Sequence, residues 1–118
     1  MFAWHAQTGL SAMAYTSVAK GYFAKLAQGR AQGKNLWPYQ IEENDAIYEA
    51  LLALQKEFAG FTIQQLSLLF FSGIEFSIAP IVSCSNMEQL DEVAQLLEKE
   101  PPQELISRLR KLRSDLIA

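Results

Sequence analysis

Between residues 76 and 90 an apolar, β-branched run turns directly into a helix start, and this junction constrains the fold more than any other stretch of the chain. Residues 78–82, Ile-Ala-Pro-Ile-Val, have the composition of a short strand covered on both faces. Through Ser83, Cys84 and Ser85 they give way to Asn86-x-x-Gln89, a pairing that caps the first turn of a helix from both ends. A helix that follows a strand so closely aims free N–H groups and the positive end of its dipole at the mouth of the sheet. An anion, most often a phosphate, binds in such places.

Upstream, Ser11-Ala12-Met13-Ala14-Tyr15-Thr16-Ser17 is small and apolar without polar alternation, which predicts a second buried strand with Thr16 and Ser17 at its C-terminal edge. Residues 1–7 before it read as the tail of a helix stopped by Gly9 in a left-handed cap. Residues 18–40 carry conflicting signals. Tyr22, Phe23 and Leu26 have helical spacing, while Gly21, Gly29, Gly33 and Trp37-Pro38 interrupt it, so a long excursion with one or two helical turns is expected, of the kind that serves as a lid.

A helix beginning at Asn44 or Asp45 follows, with Ile47, Leu51, Leu54 and Phe58 on one stripe and Gly60 as its end. Thr62-x-x-Gln65 is a second capping box, opening an apolar helix through Leu66, Leu69 and Phe70 that Gly73 closes. The helix from Asn86 carries Leu90, Val93, Ala94 and Leu97. Pro101-Pro102 introduces a last one over residues 103–117, striped by Leu105, Leu109, Leu112 and Leu116, with Arg108, Arg110, Lys111 and Arg113 in its C-terminal half. Strands alternating with helical cover mean parallel α/β units. Two strands cannot cover these helices, so residues 1–118 read as a single incomplete domain, a piece of a larger fold or a chain completed by association.

The net charge of −3 argues against general nucleic-acid or anionic-membrane binding, and no aromatic residues interleave with the basic residues 108–113, which read as an exposed face. The one cysteine, Cys84, excludes an internal disulfide and suits a reducing, cytoplasmic setting. Neither a leader-like N-terminus nor an apolar run of ~20 residues is present, so a soluble protein is expected. One histidine and one cysteine cannot build a metal site, and His5, on the first helix tail, reads as a surface or cap histidine. Cys84 reads first as a small packing residue, ahead of a reactive thiol.

Four blocks in register resemble the C-terminal part of the aldo/keto reductases, (β/α)8-barrel enzymes that reduce carbonyls with NADPH. Ala14-Tyr15-Thr16-Ser17-Val18-Ala19-Lys20-Gly21-Tyr22-Phe23 is similar to that family's seventh strand and following loop. Pro80-Ile81-Val82-Ser83-Cys84-Ser85-Asn86-Met87-Glu88-Gln89-Leu90-Asp91-Glu92 is similar to its eighth strand and the stretch after it. Trp4-His5 with Gly9-Leu10, and Phe58-Ala59-Gly60-Phe61-Thr62-Ile63-Gln64-Gln65-Leu66, resemble the intervening helices. The resemblance implies an α/β fold, a partial TIM-type barrel comprising the last two strands with their helices and a C-terminal helix.

It also implies roles. Tyr15 would stack on the nicotinamide, Thr16, Val18 and Gly21 would line the pyrophosphate, and Lys20 would add charge. Ser83, Cys84, Ser85 and Asn86 would surround the adenosine 2′-phosphate of NADP, or the corresponding ribose of NAD, with Gln89 and Glu92 beside the adenine. Three positions depart from the pattern: Ser83 and Ser85 carry hydroxyls where many members have Lys or Arg, and Val93 stands where an Asn often contacts adenine. The catalytic Asp, Tyr, Lys and His of the family lie in the first barrel half and have no counterpart in the 118 residues, so no catalytic residue is assigned. Three function classes follow: a cofactor-binding segment completed by a missing barrel half, a non-catalytic module that associates with its own copies through open strand edges and apolar stripes, and a stand-alone nucleotide-binding domain.

Overall fold

The computed structural model describes residues 1–30 and 36–117; Gly33, among the glycines expected to break the excursion, lies outside them. In chain order the elements are α1 (Phe2–Thr8), β1 (Ala12–Ala14), a 3-10 turn (Ala19–Gly21), α2 (Tyr22–Ala27), a second 3-10 turn (Trp37–Tyr39), α3 (Glu42–Glu57), α4 (Ile63–Leu69), β2 (Ile78–Pro80), α5 (Met87–Glu98) and α6 (Gln103–Ile117). Mostly helical, the chain is α/β with one parallel pair of strands among the described residues. No helix among them is long and apolar enough to cross a membrane.

The Thr62–Gln65 box forms in full. Gln65 donates its N–H to Thr62 Oγ1 at 3.1 Å, and Thr62 donates its own to Gln65 Oε1 at 3.1 Å. The helix it starts, α4, is buried on nearly every side, including Ile63, Leu66, Leu68 and Leu69. Polar Gln65 lies fully inside with them because each end of its amide is used: Nε2 donates to the carbonyl of Glu92 at 2.8 Å, and Oε1 also accepts from Lys99 Nζ at 2.9 Å. α2, α3 and α5 all pack on α4, and α6 closes on α3.

The core is therefore interhelical. Leu51 and Leu54 of α3 meet Phe61, Ile63, Leu66 and Leu69, and Leu105 and Leu109 of α6 complete the cluster. The predicted α3 stripe is all here, with Ile47 and Phe58 packed at the margin, whereas of the α6 stripe only Leu105 and Leu109 join the cluster and Leu112 and Leu116 do not. Stripe positions on α5 fare differently: no residue there is buried, and Leu97 stays 86% exposed.

Both strands were expected to be covered on two faces, and neither is. Met13 is 77% exposed and Tyr15, just past β1, 86%. Each strand has one neighbour, and the helices bury their stripes against one another instead of against the sheet. Two other expectations shift. α3 starts at Glu42, before the Asn44 or Asp45 expected from capping preference; Ile41 holds the cap without a side-chain bond, and Glu42, Glu43 and Asp45 in the first turn favour the positive helix end. Asn44 is used elsewhere, its Nδ2 donating to the Tyr39 carbonyl at 2.7 Å.

Of the basic residues of α6, Arg108, Arg110 and Lys111 are exposed as expected, and Arg113 is the exception. Arg113 turns inward and donates to the carbonyls of Phe70 at 2.9 Å and Ser72 at 3.3 Å, satisfying acceptors left at the end of α4. Burial, then the neighbouring Arg110, lower its pKa from the usual arginine value. Arg108 pairs with Glu57 through two bonds, at 2.6 and 3.1 Å. At the other end of the chain Gly9, at φ 69°, stops α1 as expected and donates to the His5 carbonyl. His5 Nδ1 lies 2.9 Å from the Leu10 carbonyl and its ring stacks on Phe76 at 4.8 Å, a position beside the segments that enter the two strands and not at their C-terminal ends.

Candidate functional site

Parallel pairing brings the C-terminal ends of β1 and β2 to the same edge, in the register Ala12 with Ile78, Met13 with Ala79 and Ala14 with Pro80. Pro80 has no N–H to give, and the bond to the Ala14 carbonyl comes from Ile81 at 3.0 Å. One residue further on, Ser17 Oγ donates to the Ile81 carbonyl at 2.7 Å, so the loops leaving the two strands are joined at their roots.

The loop after β1 is held in an uncommon backbone. Thr16 at φ 56°, Ala19 at 48° and Lys20 at 56° are all left-handed, followed by Gly21 at 74°. Only Gly21 adopts this freely; for the others the conformation costs roughly 1–2 kcal/mol each, and such strain clusters at ligand clamps. Two backbone bonds keep it in place, Ala19 N–H to the Thr16 carbonyl at 2.9 Å and Gly21 N–H to the Val18 carbonyl at 2.7 Å.

After β2, Asn86 caps α5 by accepting the Gln89 N–H on Oδ1 at 2.9 Å. Gln89 reaches back one residue further than a capping box requires, its Oε1 accepting the N–H of Ser85 at 2.7 Å. Its side chain thereby fixes the loop as well as the helix start.

Between these loops lies a cleft of about 510 Å³. One wall holds Tyr15, Thr16, Val18, Lys20 and Gly21, the other Ser83, Cys84, Ser85, Asn86, Gln89 and Glu92, so every residue singled out by resemblance lines the same space. Cys84 is half-buried. Glu92 is anchored by the hydroxyl of Thr62, which donates to its Oε1. Val93 lines the cleft too, at the position where the resemblance led to an amide.

Sequence reading missed the cationic part of the first wall, where Lys25 and Arg30 line the cleft with Ala24 and Gln28. Lys25 Nζ donates to the Lys20 carbonyl at 3.0 Å, and the Arg30 N–H bonds the Lys25 carbonyl at 2.7 Å. A signal was available. All 13 Asp and Glu residues stand at or beyond Glu42, and a whole-chain charge of −3 hides that segregation. No histidine or aspartate lines the cleft, and no group of three or more metal-ligating side chains gathers anywhere among the described residues.

Parallel strands opening at their C-terminal ends onto a cleft flanked by a capped helix belong to the α/β class that holds ligands at that edge. The model of the aldo/keto reductase family matches residues 1–114, and the chain belongs to that family. Neither a curated protein nor a solved structure matches it significantly.

Proposed function

We propose that the chain is the cofactor-binding C-terminal portion of an NAD(P)H-dependent aldo/keto reductase, with β1 and β2 standing as the seventh and eighth strands of a barrel. The single observation that supports this is the convergence of both loops on one cleft whose donors suit a dinucleotide. The N-terminus of α5 and the hydroxyls of Thr16, Ser83 and Ser85 suit phosphate and ribose oxygens, Lys20 offers charge, and the ring of exposed Tyr15 offers a face for stacking.

The bound cofactor would supply hydride for carbonyl reduction. In this reading the chain's own residues bind and orient it: Tyr15 takes the nicotinamide, Thr16, Val18, Lys20 and Gly21 take the pyrophosphate, and Ser83, Cys84, Ser85, Asn86, Gln89 and Glu92 take the adenosine. No assigned residue protonates the carbonyl oxygen, so the chain alone binds without turnover. Calorimetric titration of the purified chain with NADP+ and NAD+ tests this. Binding of either, with no carbonyl reduction when NADPH and an aldehyde are supplied, is the expected result. Absence of binding overturns the reading, and robust reduction overturns the claim of incompleteness.

A second reading has a specific observation behind it: Met13, Tyr15 and Ile81 leave the strand pair with exposed apolar side chains. Association between copies would cover them. A folded monomer throughout sedimentation at micromolar concentration removes that reading.

A further inference from the structure

Where the chain enters the two strands, away from the cleft at their exit, lies a second cavity of about 440 Å³ that shares no lining residue with the first. It is bounded by α1, by residues 73–76 ahead of β2, and by the C-terminal half of α6. Its apolar lining includes Ile74 and the rings of Phe2 and Phe76, which lie 5.7 Å apart; Phe2 is 46% exposed. Its polar lining is Arg110, Arg113 and Ser114 from α6 and Glu75 from the loop.

Gly73 brings the two guanidinium groups together. A Cβ added there would lie 2.7 Å from Arg110 Nη2 and 3.1 Å from its Nε, so the Arg110 guanidinium rests directly on the glycine. Arg113 Nη2 is 3.5 Å from the carbonyl of the same residue. Three positions apart, the two arginines share a face of α6. Arg113 is used in the fold, through its bonds to the end of α4. Arg110 is not: among the described residues its side chain donates no hydrogen bond and forms no ion pair. Glu75 lines the same cavity and pairs with neither arginine.

Two guanidinium groups against one carboxylate leave a single net positive charge in a cavity partly walled by aromatic rings. A planar monoanion on an aromatic body matches that lining. An arginine fork bonds a carboxylate through paired, charge-assisted donors, and ring contact adds to the burial of the body. The volume is within the range of small-molecule sites.

We propose that this cavity is a second binding site, for a small aromatic carboxylate whose head is held by Arg110 beside Arg113 and whose ring packs on Phe2 and Phe76. Glu75 sets the preference for one negative charge over two. The site is independent of the dinucleotide reading of the cleft.

Titration of the full chain with phenylacetate, by calorimetry and by amide 1H–15N spectra, tests it. Uncharged phenylacetamide and phenyl phosphate, which carries close to two charges, serve as comparisons. Phenylacetate is expected to bind at least about tenfold more tightly than phenylacetamide, to bind no more weakly than phenyl phosphate, and to shift amides at residues 73–76 and 110–114. Arg110→Gln is expected to weaken phenylacetate by about tenfold or more, and Glu75→Gln to strengthen phenyl phosphate by about threefold or more. Equal affinity for the acid and its amide overturns the proposal, as does an Arg110→Gln variant that binds as wild type does. Shifts confined to the first cleft, or no binding of phenylacetate, also overturn it, and tighter binding of phenyl phosphate by wild type overturns the carboxylate assignment. Thermal unfolding of both variants is followed alongside. If Arg110→Gln fails to fold, Glu75→Gln, at an exposed position, carries the test, and an absent gain for phenyl phosphate overturns the proposal.

Discussion

The helical half of the molecule and its strand half solve different problems. Around α4, side chains from α3 and α6 bury one another, and even a glutamine is acceptable inside because each of its polar atoms is bonded. Around β1 and β2 the backbone is strained, Tyr15 and Met13 are exposed, and the loops enclose a cleft. The buried core lies in the first region and the residues proposed to bind a dinucleotide in the second, so substitutions should sort by region.

The sharpest break in that comparison would come from Leu66→Ala beside Met13→Ala. Leu66 has no exposed surface, and its truncation is expected to cost about 2–5 kcal/mol in urea unfolding; Met13, 77% exposed, should cost less than about 0.5 kcal/mol. Equal losses would mean that the strand pair shares the core's burden. Next comes Gln65→Ala, which leaves the backbone bond to Thr62 but removes the side-chain half of the box and the bonds to Glu92 and Lys99 together, for roughly 2–3 kcal/mol by the same measurement. In the strand half the sign should reverse. Ala19→Gly relaxes a left-handed residue and, after the added chain entropy, should gain a few tenths to about 1 kcal/mol in thermal unfolding.

The smallest expected effect is electrostatic. Arg108, chiefly through its hydrogen bonds, holds the Glu57 carboxyl below the usual carboxylate range. A depressed folded-state pKa contributes stability that is present above the unfolded value and is lost as the pH falls through the folded one. Urea midpoints at neutral pH and at about pH 3 should therefore differ more for wild type than for Glu57→Gln. The pair is solvent-exposed, so the difference is small, and an identical difference in the variant would show that the bond contributes nothing.

How far the fold could be read in advance depended on how local its cause was. Thr62 with Gln65 and Gly9 act within one turn of chain and work as their spacing suggests, whereas of the Asn86–Gln89 pair only the Asn86 cap forms as expected and the Gln89 side chain takes the Ser85 N–H instead. The periodic stripe of α3 was equally legible, and that of α6 in its first half, Leu105 and Leu109. Strand burial was not, because it depends on what lies across the sheet and not on the strand's own residues. The start of α3 was misplaced since three acids near a helix end can substitute for a cap. Arg113 looked like surface because its partners, the carbonyls at the end of α4, lie more than 40 residues away.

For the cleft, resemblance identified residues on both walls that the structure brings together, although their roles as ligand contacts are proposals. Lys25 and Arg30 escaped notice because a net charge summed over the whole chain cancels a cationic beginning against an acidic remainder.

The bond from Ser17 to Ile81 joins residues 64 positions apart. Closing so long a loop is entropically slow compared with forming α3 and α4, which are neighbours along the chain. The cleft should therefore be among the last features to appear during folding, after much of the helical core has condensed. A ligand that binds there would recognise finished molecules only, and would slow their unfolding without hastening their assembly.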